Sequence, residues 1–376
     1  MNPKLNKRLA ILGIRGIPAR HGGFETFAEQ LAVYLQQKGW QVTVYCQQKG
    51  RGKVFEDYWY GIHRIHVPIF QEGAKGTVIF DWKSTRHAAA SKNNVLILTL
   101  GYNTALFTVM YRLKGIKNII NMDGMEWQRD KWNSLERCWL YLNEKVAAIL
   151  GNHLIADHPE IKKHLSRFIF SDKISVIPYG ADILESADHD QALLSTFRLI
   201  KKKYCLLIAR PEQENSILEI VKAYSMKQRG IPLVILGHYN AYVNEYHRKV
   251  INAAGHEIIF LGAIYQKKIV QGLRFFAKLY IHGHTVGGTN PSLIEALGAA
   301  SAILAHDNKF NRWVAGNGAW YFSTVSECSE KIEQLISDTQ VTETMKRNNK
   351  NRAAKKFKKN IILNDYETLL DQFRPQ

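Results

Sequence analysis

The sequence predicts an α/β protein built from two successive Rossmann-like halves. Three observations predict it. Short apolar runs alternate with helix-patterned stretches from 9 to 182 and again from 204 to 307, and strands separated by helices pair into parallel sheets covered on both faces. A chain of 376 residues suits two domains of roughly 150 to 200 residues better than one core. Between the two series lies 183-ILESADHDQALLSTFRLIKKK-203, where polar and charged residues outnumber apolar ones, and the domain junction is expected there. The expected division is 1–182 for the first Rossmann-like domain, 183–350 for the second, and 351–376 for a closing helical segment.

The elements follow in order. LAILGI reads as the first strand and 24-FETFAEQLAVYLQQKG-39 as the first helix, because Phe24, Phe27, Ala28, Leu31 and Leu35 recur every three or four residues and Gly39 stops it. QVTVYCQ, NVLILTL, IKNIINMDG, HLIADH and 174-ISVIPYGAD-182 complete the first series. The second runs through 204-YCLLIAR-210, the helical 214-ENSILEIVKAYSMKQ-228, 231-IPLVILG-237, 257-EIIFLGA-263, 278-KLYIHGH-284 and 302-AILAHD-307. Ligands of such sheets bind at the carboxyl ends of the strands.

The loop after the first strand carries Gly13, Gly16, Gly22 and Gly23 where a helix begins, a layout that lets backbone amides approach an anion or a sugar. It fits neither common nucleotide fingerprint. GxGxxG requires glycine where Arg15 stands, and no Walker Lys-Ser/Thr pair is present. The segment 281-IHGHTVGGTNPSLIEALGAASAILAHD-307 reads as strand, glycine-rich turn, helix and strand. Pro291 suits the first helical turn, Asn290 or Thr289 is a natural cap, and the helix start then faces whatever lies over Gly287 and Gly288. A diphosphate is the obvious guest. Glu295, one turn further, is placed to accept hydrogen bonds from a ribose.

Composition narrows the class. The chain is 46% hydrophobic and 22% charged, and no run approaches the ~18 to 20 apolar residues of a membrane span. The N-terminus lacks signal-peptide architecture, so a cytoplasmic location is expected. Cys46, Cys138, Cys205 and Cys328 are widely spaced and read as reduced thiols. A net charge of +18 attracts phosphate, anionic lipid or nucleic acid. The densest basic run, 346-KRNNKNRAAKKFKKN-360, reads as a solvated helix face or as a contact with an anionic bilayer.

Four motifs, 13-GIRGIPARHGGFETFAEQL-31, 121-NMDGMEWQRDKW-132, 176-VIPYGAD-182 and 287-GGTNPSLIEALGA-299, occur in the order seen in retaining GT-B glycosyltransferases of family 4. The chain resembles that family over most of its length. More narrowly it is similar to a bacterial rhamnosyltransferase-like branch that builds capsule and O-antigen units. The resemblance implies two Rossmann-like domains with a deep cleft between them, the second binding a nucleoside diphosphate sugar, dTDP- or UDP-linked, with no other cofactor. It implies that Glu295 holds the ribose, that Gly287, Gly288, Thr289 and Asn290 lie beside the diphosphate and sugar, and that Arg210 binds phosphate. Gly22 and Gly23, with His21, would border the leaving diphosphate and the acceptor. The closing helix would return to the first domain.

Two positions depart from the family pattern. Gly287 replaces a glutamate eight residues before Glu295, and Asn215 replaces a lysine five residues after Arg210. Where many relatives carry a histidine, this chain offers Asp123 and Glu126, which suit orientation of an acceptor hydroxyl or stabilisation of an oxocarbenium-like transition state. Their other reading is a turn at Asp123-Gly124 and a helix start at Glu126. His282 and His284 flank the donor loop, with contact to the sugar or a strand-end structural role as alternatives. The string 188-DHD-190 lacks a preceding strand, and His63 with His66 lacks companion ligands, so metal-independent transfer is expected.

The implied activity is transfer of a sugar, best L-rhamnose from dTDP-L-rhamnose, with retention, to a lipid-linked (undecaprenyl diphosphate) oligosaccharide at the inner face of the cell membrane. Peripheral contact with anionic lipid is expected through the first domain, where 127-WQRDKW-132 mixes aromatic and basic residues. The alternatives are a sugar-nucleotide 2-epimerase of the same fold and a non-enzymatic nucleic-acid binder. No nucleic-acid motif accompanies the charge, so a nucleic-acid partner is not expected.

Overall fold

The computed structural model of the chain describes residues 7–19, 22–91, 95–129, 132–185 and 192–375. They form two compact units, one comprising Met1–Pro178 with Ile362–Gln376 and the other Tyr179–Ile361.

The first unit contains strands β1 (Arg8–Leu12), β2 (Gln41–Lys49), β3 (Phe55–Trp59), β4 (Ile62–Ile69), β5 (Leu96–Leu100), β6 (Asn118–Asn121), β7 (His153–Ala156) and β8 (Ile174–Val176). Its helices are α1 (Gly23–Gln37), α2 (Gly73–Ala90), α3 (Val109–Leu113), α4 (Ser134–Leu150) and α5 (Pro159–Leu165). The sheet order is β3-β4-β2-β1-β5-β6-β7-β8. All pairs are parallel except β3 with β4, an antiparallel edge hairpin that the reading of the sequence did not contain. Its polar alternation hides it: Glu56, Asp57, His63, Arg64 and His66 form a ladder across the two strands, with His63 Nε2 2.9 Å from Glu56 and His66 Nε2 3.0 Å from Asp57.

The second unit contains β9 (Cys205–Ile208), β10 (Leu233–Leu236), β11 (Ile258–Gly262), β12 (Leu279–His282), β13 (Ile303–His306) and β14 (Ala319–Phe322). Its helices are α6 (Leu193–Thr196), α7 (Ile217–Ser225), α8 (Glu245–Asn252), α9 (Lys267–Phe276), α10 (Pro291–Gly298), α11 (Lys309–Ala315), α12 (Val325–Ser337) and α13 (Thr339–Lys356). All six strands are parallel, in the order β11-β10-β9-β12-β13-β14. Counted within the unit this is 3-2-1-4-5-6, the Rossmann order, whose direction of winding reverses between β9 and β12.

Alternation along β9 divides the core. Leu206 packs with Tyr280, Leu293, Leu297 and Phe357 on one face, while Cys205 and Leu207 pack with Ile217, Val221 and Ile332 on the other. A period of two on strands thus meets apolar helix faces in two layers.

The units divide between Pro178 and Tyr179 rather than after Asp182. Local bonding explains it: Ala181 N donates to Phe357 O at 2.7 Å, Leu184 N donates to Gly298 O at 2.9 Å, and Leu194 and Leu199 enter the second core. At the other end α13 belongs to the second unit, with Ala353 and Phe357 in its core. The last helix, α14 (Lys359–Phe373), carries the chain back, and Ile362, Leu363, Tyr366, Leu369 and Leu370 are buried. The basic run is therefore only partly a solvated face. Asn349 is buried with its amide on Ser301 O at 2.8 Å, Arg352 Nε donates to Val314 O at 2.6 Å, and Lys346 pairs with Glu343 at 3.1 Å.

Candidate functional site

In the second unit, the loops after β9 and β12 flank the point where winding reverses, which is where open α/β sheets bind ligands. They are tied to each other. Asn215 is buried, donates from Nδ2 to Arg210 O at 2.9 Å, and turns Oδ1 to His284 Nδ1 at 2.8 Å. Because a carbonyl only accepts, the first bond fixes the amide orientation, and His284 Nδ1 must then carry the proton. Thr285 N and Oγ1 both donate to Glu214 O, at 2.8 and 3.0 Å. Gly283 is required for this approach, since a Cβ there would stand 2.1 Å from Asn215 O. Asn215 is thus the clasp between the two loops. Arg210 itself is exposed, and its guanidinium makes no ion pair among the described residues.

The start of α10 follows from its sequence. Asn290 Oδ1 accepts Ser292 N at 2.9 Å, Pro291 occupies the first turn, and Gly288 takes φ 109° so that the preceding loop can reverse. Thr289 is buried beside it. One side chain then fixes the helix face. Arg274, at the end of α9, places one terminal nitrogen 2.7 Å from Glu295 Oε2 and the other 3.0 Å from Ser292 Oγ. Ser292 Oγ also lies 2.6 Å from Tyr280 Oη and donates to Ile208 O at 3.2 Å. The first turn of α10 is thereby seated on the carboxyl end of β9, two residues before Arg210. Arg210 and Glu295 stand at the same end of the sheet.

Histidines line the same edge. Burial pushes His282 well below the ordinary histidine range, reinforced by the neighbouring His284, and burial also lowers His306. Both are held neutral. His284 O accepts from Asn308 Nδ2 at 3.0 Å and Asn311 Nδ2 at 2.9 Å, which fixes the backbone of the loop from a third element, α11.

In the first unit, winding reverses between β1 and β5, and the glycine loop lies there. Gly13 takes φ 82°, where a Cβ would meet Leu100 O at 2.2 Å. The loop amides are largely spent on α1. Arg15 N and Gly22 N donate to the Glu25 carboxylate at 3.2 and 2.9 Å, and Ala19 N donates to Glu29 at 2.5 Å. Gly22 is the residue before α1 and Gly23 its first. His21 lies outside the described residues.

Asp123 and Glu126 follow β6 in a loop held from two sides. Tyr102 Oη accepts Glu126 N at 2.9 Å and donates to Gly124 O at 3.3 Å. Asn121 Oδ1 accepts Asp123 N at 2.8 Å, while its Nδ2 donates to Tyr366 Oη of α14 at 2.7 Å. Asp123 takes φ 50°, uncommon for a residue with a side chain. Glu126 is bound to Arg129 Nε at 2.8 Å and Trp132 Nε1 at 3.3 Å.

Reading the sequence did not find Arg274, Tyr102 or Glu25. For Arg274 the signal existed: Val270, Leu273, Arg274 and Ala277 share helical spacing, which puts a charge on an apolar stripe. No group of three His, Cys, Asp or Glu among the described residues has metal-site geometry, and Asp188 with Asp190 falls outside them.

Comparison with known proteins bears on this arrangement. Residues 6–182 match a family described as a domain of unknown function, DUF1972. No curated protein sequence matched. Solved structures match along the chain. Sucrose-phosphate synthase from Thermosynechococcus elongatus is similar with a TM-score of 0.81 at 15% identity, over 97% of this chain and 98% of that one. The chain has the GT-B fold. HepE of Anabaena, in complex with UDP and glucose, shares this GT-B likeness at TM-score 0.76 and 15% identity, over 98% of this chain and 100% of its own. A glycosyltransferase from Rickettsia africae matches at 0.71 and 15% identity, over 98% of each chain. At these identities the likeness establishes the GT-B fold alone.

Proposed function

We propose that this GT-B chain is a glycosyltransferase that moves a sugar from a nucleoside diphosphate to a hydroxyl of a lipid-linked oligosaccharide. The observation that carries the reading is the meeting, at one end of the second sheet, of Arg210, the capped start of α10 and the carboxylate of Glu295 held by Arg274. A sugar nucleotide needs these three things: a cation and helix-start amides for its diphosphate, and a carboxylate for its ribose hydroxyls. HepE, with UDP and glucose bound on a similar fold, supports the same assignment.

In this reading Gly287, Gly288, Thr289 and Asn290 line the diphosphate and sugar, His284 contacts the sugar, and Arg210 with the α10 dipole offsets charge on the diphosphate as its bond to the sugar breaks. Asp123 orients the acceptor hydroxyl. Its left-handed backbone is the kind of strain found at functional positions, and Glu126 is the second carboxylate of the same loop. Gly22, Gly23 and His21 border the acceptor. The donor is dTDP-L-rhamnose, because Gly287 removes the glutamate that would serve a more hydroxylated sugar, and UDP-sugars are the competing donors. Transfer proceeds with retention and without a metal, for a surface polysaccharide assembled at the inner membrane face.

A donor panel containing labelled dTDP-L-rhamnose and UDP-sugars, offered with a lipid-diphosphate oligosaccharide, tests the proposal by nucleotide release and product mass. Rhamnosyl transfer is expected. Release from no donor abandons the transferase, and turnover of UDP-N-acetylhexosamine without acceptor replaces it with an epimerase.

A further inference from the structure

Helix α4 is turned inside out. A helix on a domain surface ordinarily buries its large apolar residues and exposes its polar ones. Here the buried positions are Leu140, Asn143, Glu144, Ala147 and Ala148. The polar pair is satisfied internally: Asn143 Oδ1 accepts Leu106 N at 2.9 Å, and Glu144 accepts Trp127 Nε1 at 2.9 Å and pairs with His164 Nε2 at 2.8 Å. The large apolar residues face out. Leu135 (83% exposed), Trp139, Leu142 and Ile149 (66%) fall at intervals of four, three and seven, one stripe along a helix of 17 residues, about 25 Å at 1.5 Å per residue.

The stripe continues onto the segment after α5. Phe168 is exposed beneath the Lys145 ammonium, 2.8 Å from its ring centre, and Phe170 is 85% exposed. Lys173 joins this segment to the end of α4 by donating to Ala148 O at 2.9 Å and Ile149 O at 3.1 Å. The exposed cations nearby are Lys163 on α5 and Arg167 next to Phe168, whereas the Lys145 ammonium is buried 3.5 Å from Glu144. The acids nearby are Asp172, exposed, and Glu136, whose carboxylate accepts Asn133 N at 3.0 Å in the helix cap.

We propose that the outer face of α4, with Phe168 and Phe170, docks on an anionic lipid bilayer. An apolar stripe edged with cations matches a hydrocarbon layer edged with negative headgroups, and the chain as a whole carries +18. Two such faces apposed in a dimer would bring like charges together, which argues against a second copy as the occupant. No helix among the described residues is long and apolar enough to cross a membrane, so α4 lies in the interface plane. The inner edge of the same helix borders a groove of about 620 Å³ lined by Trp127, Gln128, Arg137, Cys138 and Tyr141. Docking therefore sets the bilayer beside the segment that carries Asp123 and Glu126. The surface deepens the reading of a lipid-linked acceptor and rests on it for its purpose, not for its geometry. Trp127 and Trp132 point their indole nitrogens at Glu144 and Glu126.

The test is co-sedimentation of the full chain with phosphatidylglycerol/phosphatidylcholine vesicles and with phosphatidylcholine alone, at low and high salt and with no nucleotide sugar present. Binding to the anionic vesicles, weakened by salt, is expected. The triple variant L135E/L142E/I149E, whose changes lie on exposed positions, should bind at least about tenfold more weakly, and K163E/R167E should lose the preference for anionic lipid. Cys138 is the exposed member of the four cysteines, the others being buried, so a polarity-sensitive dye on it should shift to the blue with anionic vesicles. Unchanged vesicle binding by the triple variant overturns the proposal. So does a wild-type dimer in sedimentation equilibrium that the triple variant converts to monomer while lipid binding is absent. Donor turnover on a water-soluble acceptor is measured separately, so the loss of either result leaves the other standing.

Discussion

Arg274 and Glu295 form an ion pair at 2.7 Å in which the cation is almost fully buried, its side chain 5% exposed, and the carboxylate is 48% exposed. The guanidinium thus acts as an internal strut for a group that faces outward. Its second terminal nitrogen, on Ser292, holds the same helix face one turn earlier. Removing the strut leaves a solvated carboxylate rather than an orphaned buried one. The R274M variant is therefore expected to fold and to raise the Michaelis constant for the nucleotide sugar about tenfold to a hundredfold, equivalent to roughly 1.4–2.7 kcal/mol, with a smaller change in kcat. R274K should recover only part, because lysine lacks the planar fork that reaches two partners. Steady-state kinetics with a thermal melt on each variant checks this.

Asp123 is expected to separate activity from stability. Glycine tolerates its φ of 50° without the cost borne by a residue with a Cβ, a difference of roughly 1 kcal/mol. D123G should therefore melt at or above the wild-type temperature while transfer falls by about a hundredfold or more. A D123G protein with wild-type turnover would remove Asp123 from the mechanism.

Asn215 offers a test of whether the missing lysine can simply be restored. The resemblance read from the sequence implies a cation there, but this side chain is buried and joins Arg210 O to His284. N215K should destabilise the second unit by about 2 kcal/mol or more, since an unpaired ammonium would replace two hydrogen bonds. Donor affinity should fall, not rise. Urea denaturation and nucleotide titration read the two effects.

Acid should weaken the second unit well before carboxylates titrate. The His282 and His306 pKa values are depressed by burial, so the unfolded chain binds protons that the folded chain refuses. Stability is then full above about pH 6.5 and falls as pH drops below it, by at most about 1.4 kcal/mol per pH unit for each such histidine, until pH passes its folded-state pKa. H282Q should flatten the slope between pH 7 and pH 5 by about one proton. An unchanged slope, followed by tryptophan fluorescence in urea, would contradict the account.

The closing helix should prove indispensable to the first unit. Tyr366 Oη accepts from Asn121, Tyr34 Oη and Trp40 Nε1 reach Glu367 at 3.2 and 3.4 Å, and five residues of α14 are buried. A chain stopped at Ile361 should expose that core and aggregate. Y366F should cost only about 1 kcal/mol, the net worth of one hydrogen bond.

Most of the parallel architecture was legible because apolar runs such as LAILGI and KLYIHGH are buried strands between helices whose stripes repeat every three or four residues. The helix start at Asn290-Pro291 was equally legible, since capping is local chemistry. The β3–β4 hairpin was not, because its strands are polar and are held by cross-strand charge pairs that no apolar period announces. The roles of Arg274 and Tyr102 depend on partners 18 to 24 residues away, which spacing alone does not reveal. The outer stripe of α4 was present in the sequence, but its apolar side reads as core until the structure shows which side faces inward.

The return of α14 also dictates an order of assembly. Its buried residues follow residues 179–361 in the chain, so the unit begun first cannot be completed until the whole of the second has been synthesised. Birth order and maturation order are thus reversed. A nascent chain stalled before Ile362 would carry a complete second unit and an unfinished first one.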